Sequence, residues 1–156
     1  MAHEALHRWR FPSQPNFEVF LYPHALAAGL TDSVEIGVTI AEVRRMLVRF
    51  QSDALFAEMD AAERFHEVPY TFEHDGSVET GVIDLLYRVG ESWRVVDFKT
   101  DEIRDEEKLD EKIGEDCAQV ARYADAVRAL VGATPLASLC FLNVRGGVRM
   151  VSCPVA

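Results

Sequence analysis

The chain has 156 residues, of which 49% are hydrophobic, and its formal net charge is −10. This length and apolar content predict one domain of the α/β class with a substantial core. The sequence contains no apolar stretch of the roughly 20 residues that cross a bilayer, and its first residues do not resemble a signal peptide. The negative charge counts mildly against a nucleic-acid partner, because a few basic groups would have to hold the polyanion.

The three cysteines, Cys117, Cys140 and Cys153, are odd in number and far apart, and they form no CxxC motif. This spacing indicates neither a disulfide framework nor an iron-sulfur or zinc cluster. We therefore expect a protein of the reducing cytoplasm.

The beginning of the chain is predicted to be one short amphipathic helix over 2–10, followed by an irregular connection. Prolines interrupt the connection, residues 11–35, and a short helix is expected only near residues 24–30. Within the first helix, His3 to His7 reads HEALH and matches the zinc-protease pattern HExxH. Two histidines four residues apart share a helix face, but no third ligand pattern follows and so short a pattern often arises by chance. A zinc protease remains an alternative.

Two further helices are predicted over 39–50 and from Ser52 to about residue 64. Thr39 with Glu42 matches a capping box at the start of the first, and Ser52 can cap the second.

From residue 65 the apolar period changes to two, which predicts three antiparallel strands. The first covers 67–73, and Asp75-Gly76 is a turn that leads to the strands 81–89 and 92–99. The charged stretch 101–116 is predicted to be a surface loop and the exposed start of a helix that ends at Gly132. Two strands complete the order and cover residues 137–144 and 148–153.

The hairpin over 81–99 carries the chemistry. If Gly90 and Glu91 form a type II′ turn, the register places Asp84 opposite Asp97, and Lys99 lies on the same face. Opposed carboxylates about 5 Å apart repel each other. Their presence is explained by a shared proton or by a divalent cation such as magnesium or manganese. The alternative is a pair of exposed acids on an edge strand, with Lys99 as their salt-bridge partner.

In these elements the sequence resembles the PD-(D/E)xK nuclease superfamily. Within it, the chain resembles the RecB-like nuclease domain at the C-terminal end of AddA- and RecB-type helicase-nucleases of the UvrD/Rep helicase family. Five features carry the resemblance: His3 with Leu6, then EVPY, GVIDLL, VVDFKT and QVARY. The combination of GxxD, DxK and QxxxY at this spacing is far more specific than HExxH.

The resemblance implies a restriction-endonuclease-like core, a mixed central sheet flanked by helices. It also implies four protein ligands for a magnesium or manganese ion: the side chains of His3, Asp84 and Asp97 and the backbone carbonyl of Phe98. Lys99 is implied as the catalytic lysine, and Gln119 and Tyr123 match the pair that supports the active site or contacts DNA. The glycine that the family places before the histidine is missing, because the chain begins two residues before His3.

The activity implied is that of a magnesium-dependent deoxyribonuclease, acting as an exonuclease or endonuclease in DNA end processing and recombinational repair. We expect residues 1–156 to be a single RecB-like nuclease domain, the C-terminal fragment of a larger helicase-nuclease whose exonuclease activity depends on ATP. The expected partners are DNA and helicase domains, without a membrane. The rival hypothesis is a catalytically silent DNA-binding or docking module on the same fold.

Overall fold

The computed structural model describes residues 1–74 and 76–155, which divide into two compact units, Met1–Ala57 and Glu58–Ala156. The first unit is helical, and the second holds a five-stranded sheet and a long helix. The predicted mixed α/β class with a central sheet is therefore confirmed. Within the described residues, no helix has both the length and the apolar character that a membrane span requires.

The first unit contains three helices and the start of a fourth. They are α1 (Ala2–His7), α2 (Phe17–Ala27), α3 (Ser33–Gln51) and α4 (Ala54–Ala61), of which α4 runs on into the second unit. Aromatic rings form much of the core: Trp9 stacks on Phe56 with ring centroids 5.6 Å apart, and Phe11 meets both Phe56 and Phe50. Such ring pairs contribute about 0.5–1.5 kcal/mol each beyond the area that they bury.

The prediction of an irregular connection over 11–35 is wrong, because α2 occupies the middle of that range. Its buried residues, Phe17, Leu21 and Ala25, follow one another at intervals of four and form a continuous stripe. Pro23 lies inside the helix and removes one backbone donor. Burial of the stripe outweighs that loss.

The predicted helix starts also need correction. Asp32 caps α3, since its carboxylate accepts from the backbone N–H groups of residues 34 and 35 at 3.0 and 2.9 Å. Thr39 does not open a helix but lies within α3, and its hydroxyl donates to the carbonyl of Glu35 at 2.9 Å. Ser52 ends α3, and Asp53 accepts from the N–H of residue 55 in the first turn of α4. Aspartate is as good a cap as serine or threonine, so composition did not distinguish these positions.

The second unit contains five strands in the sheet order β1-β2-β3-β4-β5, in which only β3 and β4 are parallel among the described residues. The strands are β1 (Glu63–His74), β2 (Ser77–Val89), β3 (Ser92–Lys99), β4 (Leu136–Val144) and β5 (Gly147–Cys153). The parallel pair is joined through α5 (Glu106–Val131). The predicted order of three strands, a helix and two strands is confirmed. The turn predicted at Asp75-Gly76 rests on Asp75, which lies outside the described residues.

The hairpin between β2 and β3 has the predicted register. Gly90 has φ +60° in the turn, a conformation that suits glycine, and Val89 pairs with Ser92. The ladder continues to Leu85 opposite Val96. The turn thus sets which residues of the two strands face each other.

Helix α5 covers one face of the sheet. Asp105 caps it by accepting from the N–H of residue 108 at 2.8 Å, and it ends at Gly132 with φ +73°. The buried cluster beneath it combines residues of the helix and of the strands, among them Val120, Ala124, Val127, Leu86, Val95 and Leu139. This packing determines which residues of the helix lie near the ends of β2 and β3.

The expectation that the cysteines form no disulfide is wrong for one pair. Cys117 of α5 is bonded to Cys153 at the end of β5, and Cys140 is buried in β4. The fold brings together two positions that are 36 residues apart. Cysteine spacing alone cannot reveal such a contact.

Gly81, the glycine of GVIDLL, is covered by the ring of its cross-strand partner Tyr70. A Cβ at Gly81 would lie only 2.5 to 2.7 Å from atoms of that ring. Tyr70 in turn packs edge-on against Tyr123 of α5, with ring centroids 5.7 Å apart. The glycine therefore makes room for an aromatic bridge from the sheet to the helix.

Gly81→Ala should lower the free energy of unfolding by about 1–3 kcal/mol, because the added methyl group forces the Tyr70 ring aside. Gly114→Ala is the control, because a Cβ at that position in α5 would meet no atom of the described residues within 4 Å outside its own stretch of helix. Alanine also favours a helix over glycine by about 1 kcal/mol. Thermal denaturation of both variants measures the effect. Equal stability of Gly81→Ala and the wild type would contradict the account of this glycine.

The disulfide gives a second stability prediction. A cross-link that closes a loop of this size contributes about 3–4 kcal/mol through the unfolded state. Reducing agent should therefore lower the denaturation midpoint of the wild type and leave that of the Cys117→Ala/Cys153→Ala variant unchanged. A wild type that is insensitive to the reductant would argue against the cross-link.

Candidate active site

Asp84 lies where the ladder between β2 and β3 stops. The ladder ends where Leu85 pairs with Val96, so one residue further would place Asp84 beside Asp97. There the backbone N–H of Phe98 donates to Asp84 Oδ2 at 2.9 Å. The carboxylate of Asp84 thus accepts a hydrogen bond from the backbone of β3, and this bond holds Asp84 against the end of that strand.

Among the described residues, Asp97 is the one charged residue that is buried, with 4% of its surface exposed. Burial raises the pKa of its carboxyl, and the nearby charge of Asp84 raises it further, against an opposing effect of Lys99. Its Oδ2 atom is buried and, within the described chain, meets no donor in hydrogen-bond geometry. Lys99 Nζ lies 2.9 Å from this oxygen as an ion pair. The oxygen retains capacity for a further ligand.

Lys99 stands between carboxylates of two different elements. Besides Asp97, its Nζ atom approaches Asp116 Oδ2 of α5 at 3.4 Å. Burial by itself lowers the pKa of the lysine, but the two carboxylates outweigh it and the pKa lies above its usual value. Lys99 therefore carries its positive charge at neutral pH.

Glu67 is a residue whose role the sequence reasoning missed, since EVPY served only to mark the start of a strand. In β1 it lies between His66 and Val68, whose partners in β2 are Leu85 and Ile83, so it faces Asp84. An oxygen of Glu67 lies within 4.8 Å of an oxygen of Asp84. Glu67 also has φ +50°, a conformation that costs a non-glycine residue of order 1–3 kcal/mol and is found most often at functional sites. The sequence contained one indication of this residue: a charged side chain in the first predicted strand, opposite the aspartate of GxxD in the next strand.

Gln119 and Tyr123 lie one turn apart on α5, and the Gln119 side-chain amide donates to the Tyr123 hydroxyl. Tyr123 is 4% exposed. Burial raises its pKa, and the charges of Asp97 and Asp84 raise it further. The hydroxyl is consequently neutral at physiological pH and lies within the electrostatic reach of both carboxylates.

The predicted site residues of the second unit are thus brought together by the ends of β2 and β3 and by one face of α5. Phe98 is buried, and its N–H contacts Asp84; the metal role of its carbonyl remains a prediction. His3 lies on α1 in the first unit, where it is exposed and where its ring centroid is 6.1 Å from that of His7. The role of His3 as a ligand likewise remains a prediction.

The donor set suits a hard divalent cation. Carboxylate oxygens of Glu67 and Asp84 lie close together, and Asp97 offers a buried oxygen that has no partner in hydrogen-bond geometry among the residues described. Magnesium and manganese prefer such oxygen ligands, and a cation offsets the repulsion between the acids. The residues present therefore fit a divalent metal ion.

Comparisons with solved structures place the fold among known proteins. A protein from Eubacterium rectale whose name describes it as a candidate exonuclease superposes with a TM-score of 0.54 at 15% identity, covering 75% of this chain and 46% of that one. Protein VC1899 from Vibrio cholerae superposes with a TM-score of 0.38 at 14% identity, over 81% of this chain and 34% of that one. This chain therefore spans less than half the length of either relative. No curated protein matches it by sequence.

The sequence model of the PD-(D/E)XK nuclease superfamily matches residues 12–150. The match includes the hairpin with Asp84, Asp97 and Lys99, and the helix with Gln119 and Tyr123. It begins after α1. Because it covers most of the 156 residues, the chain belongs to the PD-(D/E)XK nuclease superfamily.

Proposed function

We propose that this chain is a metal-dependent deoxyribonuclease that hydrolyses phosphodiester bonds. The observation that carries the proposal is the cluster at the end of the β2-β3 ladder, which contains the acids Asp84 and Asp97 and the ammonium of Lys99. The ammonium lies 2.9 Å from the buried Oδ2 of Asp97 as an ion pair, and this oxygen meets no donor in hydrogen-bond geometry within the described part of the chain. Membership of a nuclease superfamily supports the same conclusion. Asp84 is half-buried and Asp97 is buried, and such opposed acids destabilise a protein unless a ligand or proton compensates them. This cost speaks against a module without catalysis.

Glu67, Asp84 and Asp97 are the groups of the second unit that would hold magnesium or manganese, together with the Phe98 carbonyl. The family resemblance implies His3 as a further ligand. Such an ion, when bound, polarises the scissile phosphate and lowers the pKa of a bound water. The carboxylates orient the cation, and the N–H of Phe98 keeps Asp84 in place. Asp97 is shielded from bulk water, which strengthens its interaction with any cation.

Lys99 contributes a positive charge at the site of phosphate chemistry. Because its ammonium stays protonated beside two carboxylates, it is suited to stabilise negative charge that develops on the phosphate in the transition state. It can also hold the attacking water by a hydrogen bond. Because its ammonium lies 2.9 Å from Asp97 Oδ2, both functions of Lys99 depend on a carboxylate that is also a proposed metal ligand.

Tyr123 and Gln119 are suited to bind a phosphate or base of the DNA strand. The hydroxyl of Tyr123 accepts from Gln119, so its own proton is directed elsewhere and is available for donation. The raised pKa of Tyr123 keeps that proton in place. Contacts of this kind carry no sequence information, and we expect little sequence preference.

We further propose that the domain works with an attached helicase motor in DNA end processing and recombinational repair. A chain with net charge −10 cannot gather DNA through its overall field, since non-specific affinity depends on phosphate neutralisation by Lys and Arg. A motor that delivers the strand raises its effective concentration at the site. The isolated domain should accordingly bind DNA weakly and lose what affinity it has as salt rises.

Asp84→Asn and Lys99→Met should each reduce magnesium- or manganese-dependent cleavage of a DNA oligonucleotide by roughly 10²–10⁴-fold, without unfolding the domain. Asp110→Asn, which removes an exposed acid of α5, is the matched control and should cleave like the wild type. Cleavage rates are measured on proteins purified in parallel, with circular dichroism to verify folding. Equal activity of all four proteins would reject the site.

Asp97→Asn should melt at a higher temperature than the wild type when metal is absent and the pH is above neutral. The folded-state pKa of Asp97 is raised, so the wild type loses stability as the pH rises from the ordinary aspartate range through that raised pKa, whereas asparagine does not titrate. At acidic pH the two proteins should melt together. Adding Mn²⁺ should stabilise the wild type more than the variant.

Differential scanning fluorimetry across pH, with and without Mn²⁺, measures both effects. A variant that melts below the wild type throughout the pH range would show that the Asp97 charge is well compensated without a metal.

A further inference from the structure

Asp116 is the second partner of the Lys99 ammonium and lies outside the motifs of the family resemblance. Lys99 Nζ is 3.4 Å from Asp116 Oδ2 and 2.9 Å from Asp97 Oδ2. The side chain of Asp97 is 6% exposed, and that of Asp116 is 20% exposed. The ammonium therefore lies between a buried carboxylate of the sheet and a more open one of the helix.

Asp116 shares its helix face with the other polar residues of the candidate active site. It precedes Gln119 by three residues and Tyr123 by seven, and positions at this spacing lie on one side of a helix. Asp116 contacts Lys99 at the end of β3, and Tyr123 packs against Tyr70 of β1, so this side of the helix faces the sheet. Three polar side chains of α5 are thus directed at the same place.

Lys99 and a divalent cation would share one carboxylate. The ammonium forms an ion pair with Asp97 Oδ2, and no other donor of the described residues meets this oxygen in hydrogen-bond geometry. Two positive charges a few ångströms apart repel each other strongly in a site with little water. A lysine with only Asp97 as its partner would oppose metal binding, whereas Asp116 offers the ammonium a second anion within reach.

We propose that Asp116 is a positioning residue that keeps the Lys99 ammonium in the site while Asp97 serves a divalent cation. Without Asp116, the ammonium would compete with the cation for Asp97 Oδ2. This inference rests on the proposed nuclease function. It adds a residue that acts through Lys99, not through the metal or the substrate directly.

A double-mutant cycle of manganese affinity tests the inference. Isothermal titration of Mn²⁺ should show about tenfold weaker binding for Asp116→Asn than for the wild type, a coupling usual for charged groups in contact. In the Lys99→Met background the same substitution should change the affinity by less than about threefold, because the competing ammonium is gone. Tenfold weakening in both backgrounds would overturn the proposal, since Asp116 would then act on the metal directly. No weakening in either background would also overturn it.

Two matched variants control for the loss of a carboxylate from α5. Glu115→Gln removes the neighbouring acid, which pairs with Lys112 on the exposed side of the helix, and it should bind Mn²⁺ like the wild type. Asp116→Glu keeps the charge and should recover most of the affinity. Weakening by Glu115→Gln equal to that by Asp116→Asn would reduce the effect to general electrostatics and overturn the proposal.

Cleavage kinetics give a second readout and separate this inference from the proposed function. Asp116→Asn should lower kcat for a DNA oligonucleotide at saturating Mn²⁺ and leave KM for DNA unchanged, because the lysine and not the strand is misplaced. A wild type that cleaves DNA, with a cycle that shows no coupling, would overturn the inference alone. A wild type with the expected Mn²⁺ cycle and no cleavage of any DNA would overturn the nuclease proposal and support the role of Asp116.

Discussion

The feature on which the candidate site depends is the end of the hydrogen-bond ladder between β2 and β3. Up to Leu85 and Val96 the strands pair as a regular hairpin. Beyond that point the N–H of Phe98 donates to the carboxylate of Asp84. A backbone N–H of β3 therefore holds the carboxylate of Asp84 in place. Asp97, the residue before Phe98, is buried.

Concentrating acids in this way costs stability, and the surrounding structure compensates only part of it. Lys99 offsets charge on Asp97 and Asp116, but burial and the charge of Asp84 still raise the pKa of Asp97. Real proteins often accept such local conflicts at functional sites. The left-handed conformation of Glu67, in the strand beside Asp84, is a second local cost at the same place.

The β-hairpin was the most predictable part of the fold, and the helices of the first unit were the least. Gly90 fixes a two-residue turn, and the period of two then determines the register, so the relation of β2 to β3 followed from local sequence. The helix α2 was not predicted because Pro23 lies inside it and because the apolar stripe that stabilises it depends on tertiary burial. The cap of α3 was misplaced for a similar reason: several residues could serve, and only the packing of the longer helix selects Asp32.

Contacts between distant parts of the chain account for what the sequence did not reveal about the site. Glu67 and Asp116 come to the acids and to Lys99 from β1 and α5, and neither belongs to a motif with an evident chemical role. The bond between Cys117 and Cys153 likewise depends on how α5 lies on the sheet. Local patterns fix which residues a strand or helix presents, whereas the pairing of elements decides which of them meet.

We propose that the acids at the ends of β2 and β3 form a divalent-metal site. The most direct test is a crystal structure of the domain grown with Mn²⁺, with anomalous scattering measured to locate the ion. We expect a manganese peak in contact with the carboxylates of Asp84 and Asp97. A peak elsewhere, with both carboxylates unligated at saturating Mn²⁺, would contradict it.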